Sequence, residues 1–234
     1  MARTVNVDER TVRRDAFVDA ATKRIQTQGY ERMSIQDVLD DVDASRGAFY
    51  HYFDSKQALL EAVIDRMGDA AIASLGGTLD DPDLAAPEKF ELVFVSIGSY
   101  KAARYDLVMA ILEVWLSDEN AIVREKFRRD VATRMTPLLA TIIRQGSGEG
   151  SMAVDDPEDT ARIVMSLVLG VNELAGHLFV AHQAGTASIE SIVATFGAYT
   201  AALERILGLP PASLHLIDEP TLRWWFDQPL KEHA

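Results

Sequence analysis

Ser34-Ile-Gln-Asp-Val-Leu-Asp-Asp-Val-Asp-Ala-Ser-Arg-Gly-Ala-Phe-Tyr-His-Tyr-Phe-Asp-Ser-Lys56 holds two short helical patterns joined by a tight polar turn, with a third helix start at its end. The Ser34 hydroxyl can cap a helix that carries Asp37 in its first turn and turns Ile35, Val38, Leu39 and Val42 to one face. Asp43 and Ala44 then make the turn, and Ser45 supplies a second N-cap before Arg46. A link of about three residues forces the two helices to cross steeply, the helix-turn-helix arrangement. The second helix opens with Arg46, Gly47 and Ala48 and runs through Phe49, Tyr50, His51, Tyr52 and Phe53. Its small first residues allow close approach to a surface, and phenol and imidazole groups can donate to phosphate oxygens, so it suits a DNA groove. Phe49 and Phe53, four apart, share one face and anchor it, leaving Arg46, Ala48, Tyr50, His51 and Tyr52 around the rest. Asp54 or Ser55 caps the next helix, where the Lys56 ammonium and free backbone N–H groups make an anion site.

Residues 11–60 resemble the DNA-binding domain of the TetR/AcrR family of bacterial transcriptional regulators. The resemblance rests on Gly29-Tyr30 closing the entering helix, the Ser34-Ile35 helix start, the run from Ser45 to Phe53, and Ser55-Lys56 with Leu59. It implies an all-α chain: a three-helix helix-turn-helix domain over 1–56, and a larger helical ligand-binding and dimerisation domain over 57–234, entered through a linking helix at about 55–75. It also implies a homodimer on the double-stranded DNA of a palindromic operator, with half-sites about one helical turn (~34 Å) apart or somewhat more. A repressor released by a small-molecule effector is the expected activity. A ligand-independent or activating regulator remains an alternative, as does a helical enzyme or interaction module. Arg46 is assigned to a guanine edge and Ala48 to a thymine methyl, with Gly47 permitting close approach. Ser34, Ser45, Tyr50, His51, Tyr52 and Lys56 are assigned to phosphates. Family members often carry Thr or Ser where Ala48 stands, so that hydrogen bond is absent here.

A formal net charge of −13 argues against a nucleic-acid partner until its distribution is examined. Residues 1–56 hold 9 Lys+Arg against 10 Asp+Glu, so nearly all the excess acid lies after Lys56. Exposed charges beyond about 8 Å are largely screened at physiological salt, so cations at the contact face can still dominate. The footprint of Arg3, Arg10, Arg13, Arg14, Arg46 and Lys56 is modest, which points to a dimer as the source of affinity. Arg13 and Arg14 read equally as phosphate contacts or as a solvated helix start. With no cysteine there is no disulfide, thiolate metal site or cysteine nucleophile. A polar N-terminus without a signal-peptide pattern, and no uninterrupted apolar run of about 18 residues, predict a cytoplasmic protein away from membranes.

Along the chain, Met1 to Glu9 lacks periodicity and is predicted to be a mobile arm, followed by a helix from about Arg10 to Gln28 built on Phe17, Ala20, Ala21 and Ile25. Gly29 ends it as a left-handed cap, with Tyr30 folded against the last turn. The linking helix stops at Gly76-Gly77, before a polar break at Asp80-Asp81-Pro82-Asp83. Helices are then predicted over 88–103, 105–117 and 119–145, the last kinked at Pro137, with Gly146 to Gly150 as a loop. Asp156-Pro157-Glu158-Asp159 opens a helix to about Gln183. That helix is apolar nearly all round over 160–183, and 188–207 adds Ile189, Ile192, Val193, Phe196, Tyr199, Leu203, Ile206 and Leu207. Two such helices need a partner, and packing the pair against its two-fold copy as a four-helix bundle supplies one. Trp224-Trp225 is expected to pin the tail from Gly208 to Ala234 against the body.

Neither a nucleophile elbow, a phosphate-cradling glycine loop nor a zincin pattern occurs, so neither enzymatic chemistry nor a cofactor is expected. His177 and His182, five apart, sit roughly 140° apart around a helix, a poor chelating pair. Glu173 and His177 could share a ligand or metal, or serve an interhelical hydrogen bond. For an effector pocket the candidates are Tyr100, Met109, Glu113, Trp115, Met165, Asn172 and His177. A buried Glu113 near aromatic rings suits a cationic or hydrogen-bonding ligand; the competing reading turns it to solvent or an arginine.

Overall fold

A computed structural model describes residues 2–228, without the side chains of 2–8, 78 and 113, and its described residues form ten α-helices and two 3-10 turns with no strand. The helices are α1 (Ala2–Gln28), α2 (Ile35–Asp41), α3 (Arg46–Tyr50), α4 (Lys56–Ala73), α5 (Ala86–Ala102), α6 (Tyr105–Trp115), α7 (Ala121–Glu149), α8 (Pro157–Gln183), α9 (Ile189–Leu207) and α10 (Glu219–Phe226). The described residues group into two compact units, one made of Ala2–Ala70 with Arg104–Val123, the other of Ala71–Ala103 with Arg124–Gln228. The boundary falls inside α4.

In the first unit, α1 buries Phe17, Val18, Ala21 and Ile25, α2 packs on it with Val38 and Leu39 buried, Phe49 of α3 stands edge-on to Phe17, and Leu59, Leu60 and Val63 of α4 are buried as well. Ile35 and Val42, expected on the same inward face of α2, are only half-buried. A seven-residue helix presents too narrow a stripe to bury four side chains. Helix α6 also packs on α1 and buries Leu107, Ala110, Ile111 and Val114. Its following turn is tied to the start of α4, where Gln57 Nε2 donates to Asn120 Oδ1 at 3.2 Å and to the Glu119 carbonyl at 3.3 Å.

The expected N-terminal arm is instead helical, because α1 begins at Ala2. No glycine or proline interrupts residues 2–9, and extending an established helix fixes one residue per hydrogen bond, far cheaper than nucleation.

The second unit has one continuous core in which Phe90 and Val93 of α5 meet Leu139, Ile142 and Ile143 of α7, Val164 and Met165 of α8, and Leu203 and Leu207 of α9. The predicted loop at Gly146 to Gly150 is also corrected, since α7 runs on to Glu149 and Gly150 ends it at φ +72°. The physical reason is close packing. A Cβ on Gly146 would lie 2.7 Å from Met152 side-chain atoms and 3.1 Å from the Ala86 Cβ, so the glycine serves packing rather than chain reversal. Helix α8 has the predicted bounds, with Asp156 Oδ1 accepting the Asp159 N–H at 2.8 Å.

Docking of the tail is corrected too. Leu222 and Phe226, four apart on α10, are the buried anchors, with Phe226 6.0 Å from Phe179 of α8 and 6.2 Å from Phe196 of α9, while Trp224 is 43% exposed. The approach to α10 is held by one acid. Buried Glu204 accepts the N–H groups of Ser213 at 2.8 Å, Leu214 at 3.0 Å and Ala212 at 3.1 Å. The Leu214 N–H most of all, with those of Ala212 and Ser213, keeps this carboxyl below the usual range despite burial. Its contribution is therefore full above the unfolded value near pH 4.3 and is lost as pH falls through the lower folded value. Glu204→Gln should lower stability by about 2 kcal/mol at neutral pH and much less in strong acid. Thermal unfolding across that range checks this, and a constant difference from wild type would contradict it.

Candidate nucleic-acid interface

The expected caps and turn of the helix-turn-helix stretch correspond to observed bonds. Ser34 Oγ accepts the Asp37 N–H at 3.1 Å, and Asp37 Oδ2 in turn accepts from the Ser34 N–H at 2.8 Å and hydroxyl at 2.7 Å, a complete capping box. Those bonds, the Ser34 backbone first, hold the Asp37 carboxyl below its ordinary range. At the other end of α2 the chain reverses through Asp43, a non-glycine residue at φ +48°, and the Ala44 N–H returns to the Leu39 carbonyl at 3.0 Å. Aspartate is among the few residues that take this left-handed conformation at modest cost. Ser45 then caps α3, accepting the Ala48 N–H at 3.3 Å.

Helix α3 is shorter than the pattern suggested, ending at Tyr50, with His51 and Tyr52 in the turn that follows. Five residues cannot sustain an isolated helix, so packing holds it. Phe49 is fully buried, edge-on to Phe17 at 5.7 Å, and Phe53 stands 5.7 Å from Phe49 and 6.2 Å from Phe17. Arg46, Gly47 and His51 are exposed, Tyr50 is 53% exposed, and Ala48 is half-buried. Half-buried Tyr52 leans on Phe17 at 5.9 Å and His51 at 5.0 Å. One buried edge thus carries an outward row formed by residues 45–47, 50 and 51.

Two ties that the sequence pattern does not reveal steady this edge. Arg24 of α1 grips the last residue of α2 with a two-pronged fork, Nε and Nη2 each 2.7 Å from an Asp41 oxygen, and this holds the Asp41 carboxyl below its usual range. Residues 17 positions apart give no periodic signal. Lys56 lies with its Nζ 4.2 Å from the Tyr30 ring centroid and 3.1 Å from the Glu31 carbonyl.

The effector candidates do not assemble within either unit. Met109 and Trp115 are half-buried on α6 in the first unit, and the Glu113 side chain lies outside the described residues. In the second unit Met165 is core, Tyr100 is half-buried, His177 is exposed, and Asn172 Oδ1 accepts from Lys101 Nζ at 2.8 Å. Burial pushes the Lys101 ammonium below the usual lysine range, a feature the sequence reading missed. Glu173 pairs with Arg128 at 2.6 Å rather than with His177. A surface groove of about 520 Å³ lies between α1 and the α2–α3 turn, lined by Val12, Arg13, Phe17 and Val42, and none of the effector candidates borders it.

Residues 17–63, which contain α2, α3 and the start of α4, match the family of bacterial regulatory proteins described as the tetR family. Over that segment the chain is similar to the tetR-family regulators. Among relatives, the helix-turn-helix transcriptional regulator EthR of Mycolicibacterium smegmatis is 24% identical over 54% of this chain and 66% of its own, just under two thirds of its length. A helix-turn-helix transcriptional repressor of Mycobacterium tuberculosis is 28% identical over 70% of this chain and 82% of that protein. The crystal structure of reduced NemR from Escherichia coli shares the fold, with a TM-score of 0.51 and 21% identity over 85% of this chain and 99% of that one. TetR-family regulators bind DNA, and the outward row on α3 lies in the matched segment.

Asp43 provides a test of the turn. Asp43→Gly should stabilise the protein by about 0.5–1 kcal/mol by removing the left-handed penalty, while Asp43→Val should destabilise it by at least that much. Chemical denaturation of the three proteins measures both signs, and a destabilised glycine variant would contradict the assignment.

Proposed function

We propose that the chain is a homodimeric repressor whose two α3 edges enter successive major grooves of a palindromic operator, and whose grip is released by a small-molecule effector. The observation that carries this reading is the α3 edge itself: two buried phenylalanines on one side, and Arg46, Gly47, Tyr50 and His51 exposed on the other. Arg46 donates to a guanine edge, Ala48 packs on a thymine methyl, and Gly47 lets the backbone approach. Ser45, Tyr50, His51, Tyr52 and Lys56 engage phosphates and fix the register. A phosphate contact from Ser34 requires its hydroxyl proton to leave Asp37, a loss of about 1 kcal/mol. Residues 1–56 act as reader and 57–234 as effector and dimer domain, with α4 as the link.

The pair α8 and α9 supplies the dimer. Helix α8 is long and apolar enough to cross a membrane by length and composition, yet only 22% of its most apolar stretch is buried, and Ile163 and Val180 stand 53% and 46% exposed. A lipid setting is disfavoured by Glu173 in mid-helix, ion-paired to Arg128, since charge in hydrocarbon is costly. A second copy covers such a face in water, consistent with a cytoplasmic, non-enzymatic regulator. Effector residues drawn from Tyr100, Met109, Glu113, Trp115, Met165, Asn172 and His177 would bias the dimer between binding and splayed states.

Two measurements test this. Lys56→Ala should weaken binding to all DNA sequences and reduce the slope of log affinity against log salt by about one, whereas Arg46→Ala should relax discrimination at one base pair. An unchanged slope would remove Lys56 from the phosphate set. Val180→Glu should yield a folded monomer by sedimentation, with operator affinity lost; a dimer unaffected by that charge would move the interface elsewhere.

A further inference from the structure

We propose that Tyr30 is a positioning residue for DNA binding, its ring face and the adjacent Glu31 carbonyl holding the Lys56 ammonium ready for a phosphate. The inference rests on the reading of Lys56 as a phosphate contact and adds what prepares it. Tyr30 is placed by the end of α1. Gly29 takes φ +80° while its N–H returns to the Ile25 carbonyl at 3.0 Å, and the next bonds run from the Met33 N–H to the carbonyls of Tyr30 at 3.2 Å and Gly29 at 3.3 Å. The reversal leaves Tyr30 only 8% exposed, with its ring centroid 4.2 Å from Lys56 Nζ.

An ammonium over an aromatic face is attracted by the ring quadrupole, and its three N–H groups can serve more than one acceptor. One goes to the Glu31 carbonyl at 3.1 Å, which leaves donors for an incoming oxygen. A free lysine must surrender much rotamer freedom to grip a phosphate; one already held between ring and carbonyl surrenders less. Burial pushes the Lys56 ammonium down from its ordinary range while Glu31 pulls it up, as expected of a cation already partly stripped of water. The ring face, not the phenol oxygen, does the holding.

The test compares operator affinity of wild type, Tyr30→Phe and Tyr30→Leu, each with Lys56 and with Lys56→Ala, in full-length protein shown to be folded by circular dichroism. Tyr30→Phe keeps the ring and should bind as wild type. Tyr30→Leu should weaken binding by roughly threefold to tenfold with Lys56 present and have no further effect in the Lys56→Ala background. Equal losses in both backgrounds, or wild-type binding by Tyr30→Leu while Lys56→Ala weakens it, would overturn the positioning role alone. Full binding by Lys56→Ala would overturn it together with the phosphate reading. Should Tyr30→Leu fail to fold, wild type and Tyr30→Phe still decide: the Lys56 ε-methylene protons should resonate upfield in both through the ring current, and their absence there would overturn the proposal.

Discussion

The edge-on contact between Phe17 and Phe49, completed by Phe53, is the interaction on which the rest depends. Helix α3 is five residues long and its caps contribute about 1 kcal/mol each, too little to hold it. The two phenylalanines commit one side of this short element to the interior, and truncating either should cost about 3–5 kcal/mol. Between them Tyr50 and His51 are left exposed, while Tyr52 stays half-buried against Phe17. The Arg24–Asp41 fork and the left-handed Asp43 define where α3 begins; the aromatic cluster defines how it is rotated.

Charge follows the same division of labour. The chain is strongly acidic, but residues up to Lys56 are nearly neutral, and the cations available to DNA are few. Few phosphate contacts per copy mean weak affinity per copy, so pairing two readers is the physical route to tight binding. The incompletely buried α8 is consistent with that demand. Ordering the few cations before contact, as at Lys56, serves the same end.

How much of this was legible in the sequence depended on the range of the interaction. Caps, the turn and the Phe49–Phe53 face follow from residues three or four apart, and each matches an observed bond or burial. Helix α8 was likewise legible through Asp156 and Pro157. Apart from the N-terminal arm, where helix propagation decides, the failures lie where packing overrides a local signal. Gly146 reads as a loop until Met152 and Ala86 are seen packed where its Cβ would stand. Trp224 and Trp225 read as anchors because they are large, yet Leu222 and Phe226 share the inward stripe of α10. Arg24–Asp41 and Tyr30–Lys56 join segments 17 and 26 residues apart, and no local pattern reports them. The effector candidates fall in both units, and residue type carries no information about which unit each joins.

Reading of the major groove is the role assigned to α3. Dimethyl sulfate protection reports it most directly, because guanine N7 lies in the major groove and adenine N3 in the minor groove. With the full chain bound to its operator, guanine N7 should be protected in two patches about one helical turn apart or somewhat more, symmetric about the operator centre. Unprotected N7 positions, with adenine N3 protected instead, would contradict it.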